Sequence, residues 1–135
     1  MHKEAVAAMH DCARLSDQGK ITFPEVLHKL TEAGVERYHT DLCCDEHVYY
    51  MPSGETHVEP MAALTWPIAE QFSDADMRAA LLAVQHGEIV YLEFLRRIMA
   101  AGCVGYFVSL AGGKAQYFGR KGEIHEELFP ASPAH

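Results

Sequence analysis

Two short stretches bring carboxylates and an imidazole together at a spacing that a strand would turn to one face. They are Gly54-Glu55-Thr56-His57-Val58-Glu59 and Gly122-Glu123-Ile124-His125-Glu126-Glu127. Side chains at i, i+2 and i+4 of a strand share a face. Glu55, His57 and Glu59 would therefore project together, and so would Glu123, His125 and Glu127. Carboxylate plus imidazole can hold a divalent cation or move a proton. The plainer expectation is a solvated sheet face, with Val58, Ile124 and Leu128 turned to the core. We favour it, because antiparallel sheets commonly keep one polar face. His125-Glu126 also opens like a His-Glu-x-x-His zinc motif, but position 129 is Phe.

A second group, His39, Cys43, Cys44, Asp45 and His47, surrounds one expected hairpin turn. Thiolate and imidazole suit a soft metal. A third group is aromatic: Tyr38, Tyr49, Tyr50, Trp66, Tyr106, Tyr117 and Phe118. Such rings more often form core and cross-strand pairs, but they can also line a ligand cleft. Trp66, in a connecting segment, is the expected exception to core packing. No nucleophile elbow, phosphate-binding loop or dinucleotide fingerprint occurs. No catalytic residue, resident metal or cofactor is assigned.

The elements that must position these groups follow from periodicity and turn residues. Residues 3 to about 17 read as a helix, stopped at Gly19. Thr22-x-x-Glu25 is a capping box for a second helix that ends at Gly34. A period of two then sets in, giving strands at 37–42, 47–51 and 55–59, with Cys43-Cys44-Asp45 and Pro52-Ser53-Gly54 as turns. Residues 60–72 connect, with a short strand expected at Leu64 to Ile68. Ser73 begins a third helix, which runs to Gly87. A fourth spans about Val90 to Ala101, with Val90 standing where Thr22 stood. Strands follow at about 104–110, 115–118 and 123–128, and residues 131–135 read as a loose end.

The two series are one series. His57 and His125 differ by 68 positions, and eleven of the 37 positions from Phe23 to Glu59 recur at that offset without a gap. Chance would give roughly two or three. The expected fold class is α+β: a tandem duplication of an αα-βββ unit, with helices packed on one face of an antiparallel sheet. One domain, 1–135, would hold two repeats, about 5–59 and 73–127. The hairpin cluster is not repeated, since Phe107, Ala111, Gly112, Gly113 and Ala115 occupy its places. The fold therefore does not need it.

Composition narrows the function. Nineteen acidic residues stand against eleven basic ones, for a net charge of −8. Phosphate neutralisation drives nucleic-acid binding, so no nucleic-acid partner is expected. No apolar run is long enough for a membrane span, and the N-terminus lacks a signal-peptide core. The expectation is a cytoplasmic protein with four free thiols, Cys43 and Cys44 accessible and Cys12 and Cys103 buried.

Gln85-His86-Gly87-Glu88, the Phe94 helix, Ala101-Gly102, Tyr117-Phe118, Lys121-Gly122 and Glu127-x-x-Pro130 resemble the YbcV-like family of small bacterial proteins. These are sometimes labelled phage envelope proteins. The resemblance covers roughly residues 20 to 130. It implies an α+β fold and carries no established activity.

The leading expectation is a small binding or regulatory module for a small molecule or a protein, without catalysis, its ligand held at the seam between repeats. A homodimer is left open. The candidate ligand-binding residues are Trp66, Tyr38, Tyr106, His57, His125, Glu55 and Glu123. One rival is a metal-dependent or acid–base enzyme built on the two Glu-x-His-x-Glu strands. A weaker rival is a phage-derived structural protein. Glu126, read as inward-facing, places the last strand at a wet edge, so His57 and His125 are expected to lie far apart.

Overall fold

The computed structural model describes residues 1–129, so the expected loose end at 131–135 lies outside the described residues. Helix α1 (Lys3–Asp17) buries Ala5, Met9, Cys12 and Ala13, one stripe at helical spacing. Helix α2 (Phe23–Glu32) opens on the capping box. The Glu25 amide donates to Thr22 Oγ1 at 3.4 Å, and the Thr22 amide donates to Glu25 Oε1 at 2.9 Å. Strands β1 (Arg37–Asp41), β2 (Glu46–Tyr50) and β3 (Thr56–Pro60) complete the first half.

The same order recurs. Helix α3 (Asp74–Gln85) is capped by Ser73, whose hydroxyl accepts from the Asp76 amide. Helix α4 (Tyr91–Ala100) starts at Val90 with no side-chain cap. Strands β4 (Cys103–Ser109), β5 (Lys114–Gly119) and β6 (Ile124–Leu128) follow.

All six strands form one antiparallel sheet in the order β3-β2-β1-β4-β5-β6. The two meanders meet where β1 pairs with β4. There Tyr38 faces Val108, His39 faces Phe107 and Thr40 faces Tyr106. Subtracting the offset of 68 turns 108, 107 and 106 into 40, 39 and 38. The register is thus its own image about the His39–Phe107 pair, whose rings stack at 4.4 Å. The helices cover the face carrying Tyr38, Thr40, Tyr49, Tyr106, Val108 and Tyr117, all of them buried. No helix of the described residues is long and apolar enough to cross a membrane.

Two expectations are corrected here. Residues 61–73 contain no strand, Leu64 to Ile68 included. Hydrogen bonds to scattered partners hold this segment instead, such as Ala62 N to Asp17 Oδ2 and Ser73 N to Ala101 O. The edge strands also face the other way. Val58, Ile124 and Leu128 are 48%, 55% and 68% exposed, whereas Glu59 and His125 are each 7% exposed. The cause is register. His57 pairs with Tyr49 and His125 with Tyr117, and cross-strand partners share a face. Because both tyrosines point to the helices, the histidines do too. Glu126 then falls on the open face with Ile124 and Leu128, not inward.

Candidate ligand cavity

A cavity of about 490 Å³ lies between the helices and the inner sheet face. Its floor is Tyr38, His47, Tyr49, Tyr106, Ala115 and Tyr117. The α1–α2 and α3–α4 loops form part of its rim. They meet there, since a Cβ on Gly19 would lie 3.3 Å from Val90 Cγ1. The lining is drawn from both halves at matching places. Positions 13, 16, 19, 21, 22, 23, 26, 38, 47 and 49 contribute, and so do all ten positions 68 residues later. The cavity therefore straddles the two-fold relation of the sheet register.

Most of the lining is apolar, with a few polar groups set into it. The hydroxyls of Tyr91 and Tyr106 lie 2.6 Å apart. Tyr106 faces Thr40 across β1–β4, and Thr40 Oγ1 lies 2.7 Å from His47 Nδ1. A line of polar groups thus runs from α4 over the sheet to β2. His47 is 4% exposed, and its Nε2 has no hydrogen-bond partner among the described residues. Burial pushes its imidazole down to about 4, against the opposing pull of Glu59. The ring is therefore neutral at pH 7. Burial raises the Tyr106 phenol to about 12 and holds those of Tyr38, Tyr91 and Tyr117 well above the usual range. All four are uncharged hydrogen-bonding groups. No Lys or Arg lines the cavity, and Glu127 is its one carboxylate.

Of the seven residues expected to bind a ligand, Tyr38 and Tyr106 line this cavity and the other five do not. Trp66 is half-buried in the connector and packs on the outside of the core. Glu55 precedes β3 and is exposed, with Oε2 2.6 Å from the Met1 amino nitrogen. Glu123 precedes β6, and its Oε1 accepts from the Lys121 amide. Neither is part of a strand, so neither shares a strand face with the histidine that follows it. His57 and His125 lie on β3 and β6, at opposite edges of the sheet, about 24 Å apart on five inter-strand spacings.

Each edge histidine has a local structural partner. The Glu59 carboxylate bridges His57 on β3 and His10 on α1. His125 bridges Asp74 at the start of α3 (2.6 Å) and Glu127 on β6 (3.2 Å). These links tie an edge strand to the first helix of its own half. Among the described residues, no group of three or more His, Cys, Asp or Glu is placed to hold a metal ion.

The hairpin cluster divides between the two faces of the sheet. His39 stacks on Phe107 on the open face, whereas His47 points to the cavity. Cys43 and Cys44 are exposed, and Cys12 and Cys103 are buried. The Cys43 and Cys44 amides donate to Asp41 Oδ1; burial and then that carboxylate hold the Cys43 thiol above the usual thiol range, and the carboxylate first of all does so for Cys44. Asp45 takes the positive-φ place in the turn.

Sequence reasoning did not place His47, Thr40, Tyr91 or Glu127 at the cavity. One signal was present for His47. It alternates with Tyr49, and the repeat puts Ala115 at its place, which marks a position turned inward. No family model and no curated protein matches the chain.

Proposed function

We propose that this protein is a small-molecule-binding or regulatory module, without catalysis of its own, that acts in the cytoplasm. One observation carries the reading: a cavity of about 490 Å³, mostly apolar, with a few uncharged polar groups converging on it. That size lies within the roughly 300–1,000 Å³ common for ligand sites. We further infer that the two halves arose by duplication and that the chain is a YbcV-like protein. The offset of 68, the shared order of elements and the paired lining support the first inference, and the resemblance carried by Gln85-His86-Gly87-Glu88, Ala101-Gly102, Tyr117-Phe118 and Lys121-Gly122 supports the second.

Titration with naphthalene, followed by its fluorescence, tests the binding site. We expect one molecule bound per chain and a raised melting temperature. Ala115→Met lengthens a floor side chain into the cavity and should weaken binding at least tenfold with the circular dichroism unchanged. Failure of naphthalene to bind up to its solubility limit would remove the proposal.

A further inference from the structure

The two walls of the cavity match in position and differ in chemistry. At places related by the offset of 68, Ser16 stands opposite Val84, Thr22 opposite Val90 and His47 opposite Ala115. In each pair the first half supplies the polar group and the second an apolar one. The pair Phe23 and Tyr91 runs the other way, and Gln85 and Glu127 add polar groups to the second half, so the contrast is local to these three places.

His47 sharpens this. Three buried side-chain polar atoms lack a partner among the described residues: Asp17 Oδ1, Asp45 Oδ1 and His47 Nε2. The two carboxylates each use their other oxygen, on the Ala62 and Leu64 amides, and neither lines the cavity. His47 does line it. Its Nδ1 is held by Thr40, so the ring cannot turn to satisfy Nε2 without breaking that bond. An unsatisfied buried polar atom costs about 1–3 kcal/mol. A ligand that pairs with it recovers that energy.

We infer that the ligand is an uncharged, largely ring-like or hydrocarbon molecule bearing a hydroxyl, which pairs with His47 Nε2. The inference rests on the proposal that the cavity binds a small molecule. A hydroxyl both gives and accepts a hydrogen bond, so it suits Nε2 whichever ring nitrogen carries the proton. An anion would meet Glu127 and no Lys or Arg. A cation would meet only Glu127 as counter-charge, and that carboxylate is already engaged by His125.

Four probes of one shape test it at pH 7: naphthalene, 2-naphthol, 2-naphthoate and 2-naphthylmethylammonium. We expect 2-naphthol to bind about tenfold more tightly than naphthalene, one hydrogen bond's worth, and both ions more weakly than either. In His47→Phe the naphthol advantage should fall to about one while naphthalene still binds. Naphthalene binding with no naphthol advantage, or tighter binding of either ion, overturns this inference and leaves the binding site standing. Failure of all four probes overturns both. If His47→Phe does not fold, the ranking of the four probes on the native protein decides alone.

Discussion

At the residue scale, His47 links the cavity to pH. Its folded value is about 4 against an ordinary 6.5, because burial disfavours the charged ring. Two charged groups act on it: Glu59, on the same face, favours the charge, and His39, on the opposite face of the sheet, opposes it. As pH falls below about 6.5 the unfolded chain takes up a proton that the folded chain refuses until about 4. Stability is therefore complete above 6.5 and is lost as pH falls through that window. The shift corresponds to roughly 3 kcal/mol at its lower end. Urea denaturation at pH 7 and pH 4.5 should show a smaller drop in His47→Phe than in the native protein. Equal drops would mean that another group dominates acid sensitivity. Glu59 is one such group: held below the usual carboxylate range by His57 and His10 despite burial, it loses its contribution only at lower pH.

At the element scale, equivalent turns carry unequal loads. Gly34 and Gly102 both end a helix at positive φ, 84° and 94°. A Cβ on Gly34 would find only Met51 Cε, at 3.7 Å. On Gly102 it would fall 2.5 Å from Gln71 O and 2.9 Å from Phe72 Cα, both backbone atoms of the connector. Gly34→Ala should therefore cost about 1 kcal/mol of backbone strain. Gly102→Ala should add roughly 1–3 kcal/mol of overpacking. Denaturant midpoints of the two variants would show it, and equal losses would contradict the close approach of the connector to the second half. The connector is tied to the end of α4 beside Gly102, through the Ala69 and Ser73 amides donating to the Met99 and Ala101 carbonyls, whereas a Cβ on Gly34 would meet no backbone atom within 4 Å.

At the scale of the whole molecule, the sheet is one piece whose centre is the β1–β4 junction. Strands β1 and β4 have a bonded neighbour on both sides, and β3 and β6 have one. Native-state hydrogen exchange should therefore be slowest in Arg37–Asp41 and Cys103–Ser109 and fastest in Thr56–Pro60 and Ile124–Leu128. Two separately protected halves, with exchange at the β1–β4 pairing as fast as at the edges, would contradict a single cooperative sheet. The cavity depends on the same junction, because its floor takes Tyr38 from β1 and Tyr106 from β4. Loosening the junction would open the binding site along with the sheet.

The sequence by itself determined the local part of this protein. Helix starts follow from Thr22-x-x-Glu25 and Ser73, because capping is settled within one turn of chain. Strand spans follow from alternation, and the exposed thiols at 43 and 44 from a turn whose counterpart is Gly112-Gly113. Tyrosines 38, 49, 106 and 117 were readable as a set, because the offset of 68 aligns them in pairs. Which face of an edge strand looks inward was not readable. Thr56–Pro60 and Ile124–Leu128 alternate equally well in either sense, and only pairing with Tyr49 and Tyr117 chooses between them. The convergence of His47, Thr40, Tyr106 and Tyr91 was likewise invisible. These residues come from β2, β1, β4 and α4. Only the packing of helices on a sheet that joins both halves brings them to one cavity and leaves one imidazole nitrogen of a lining residue unpaired.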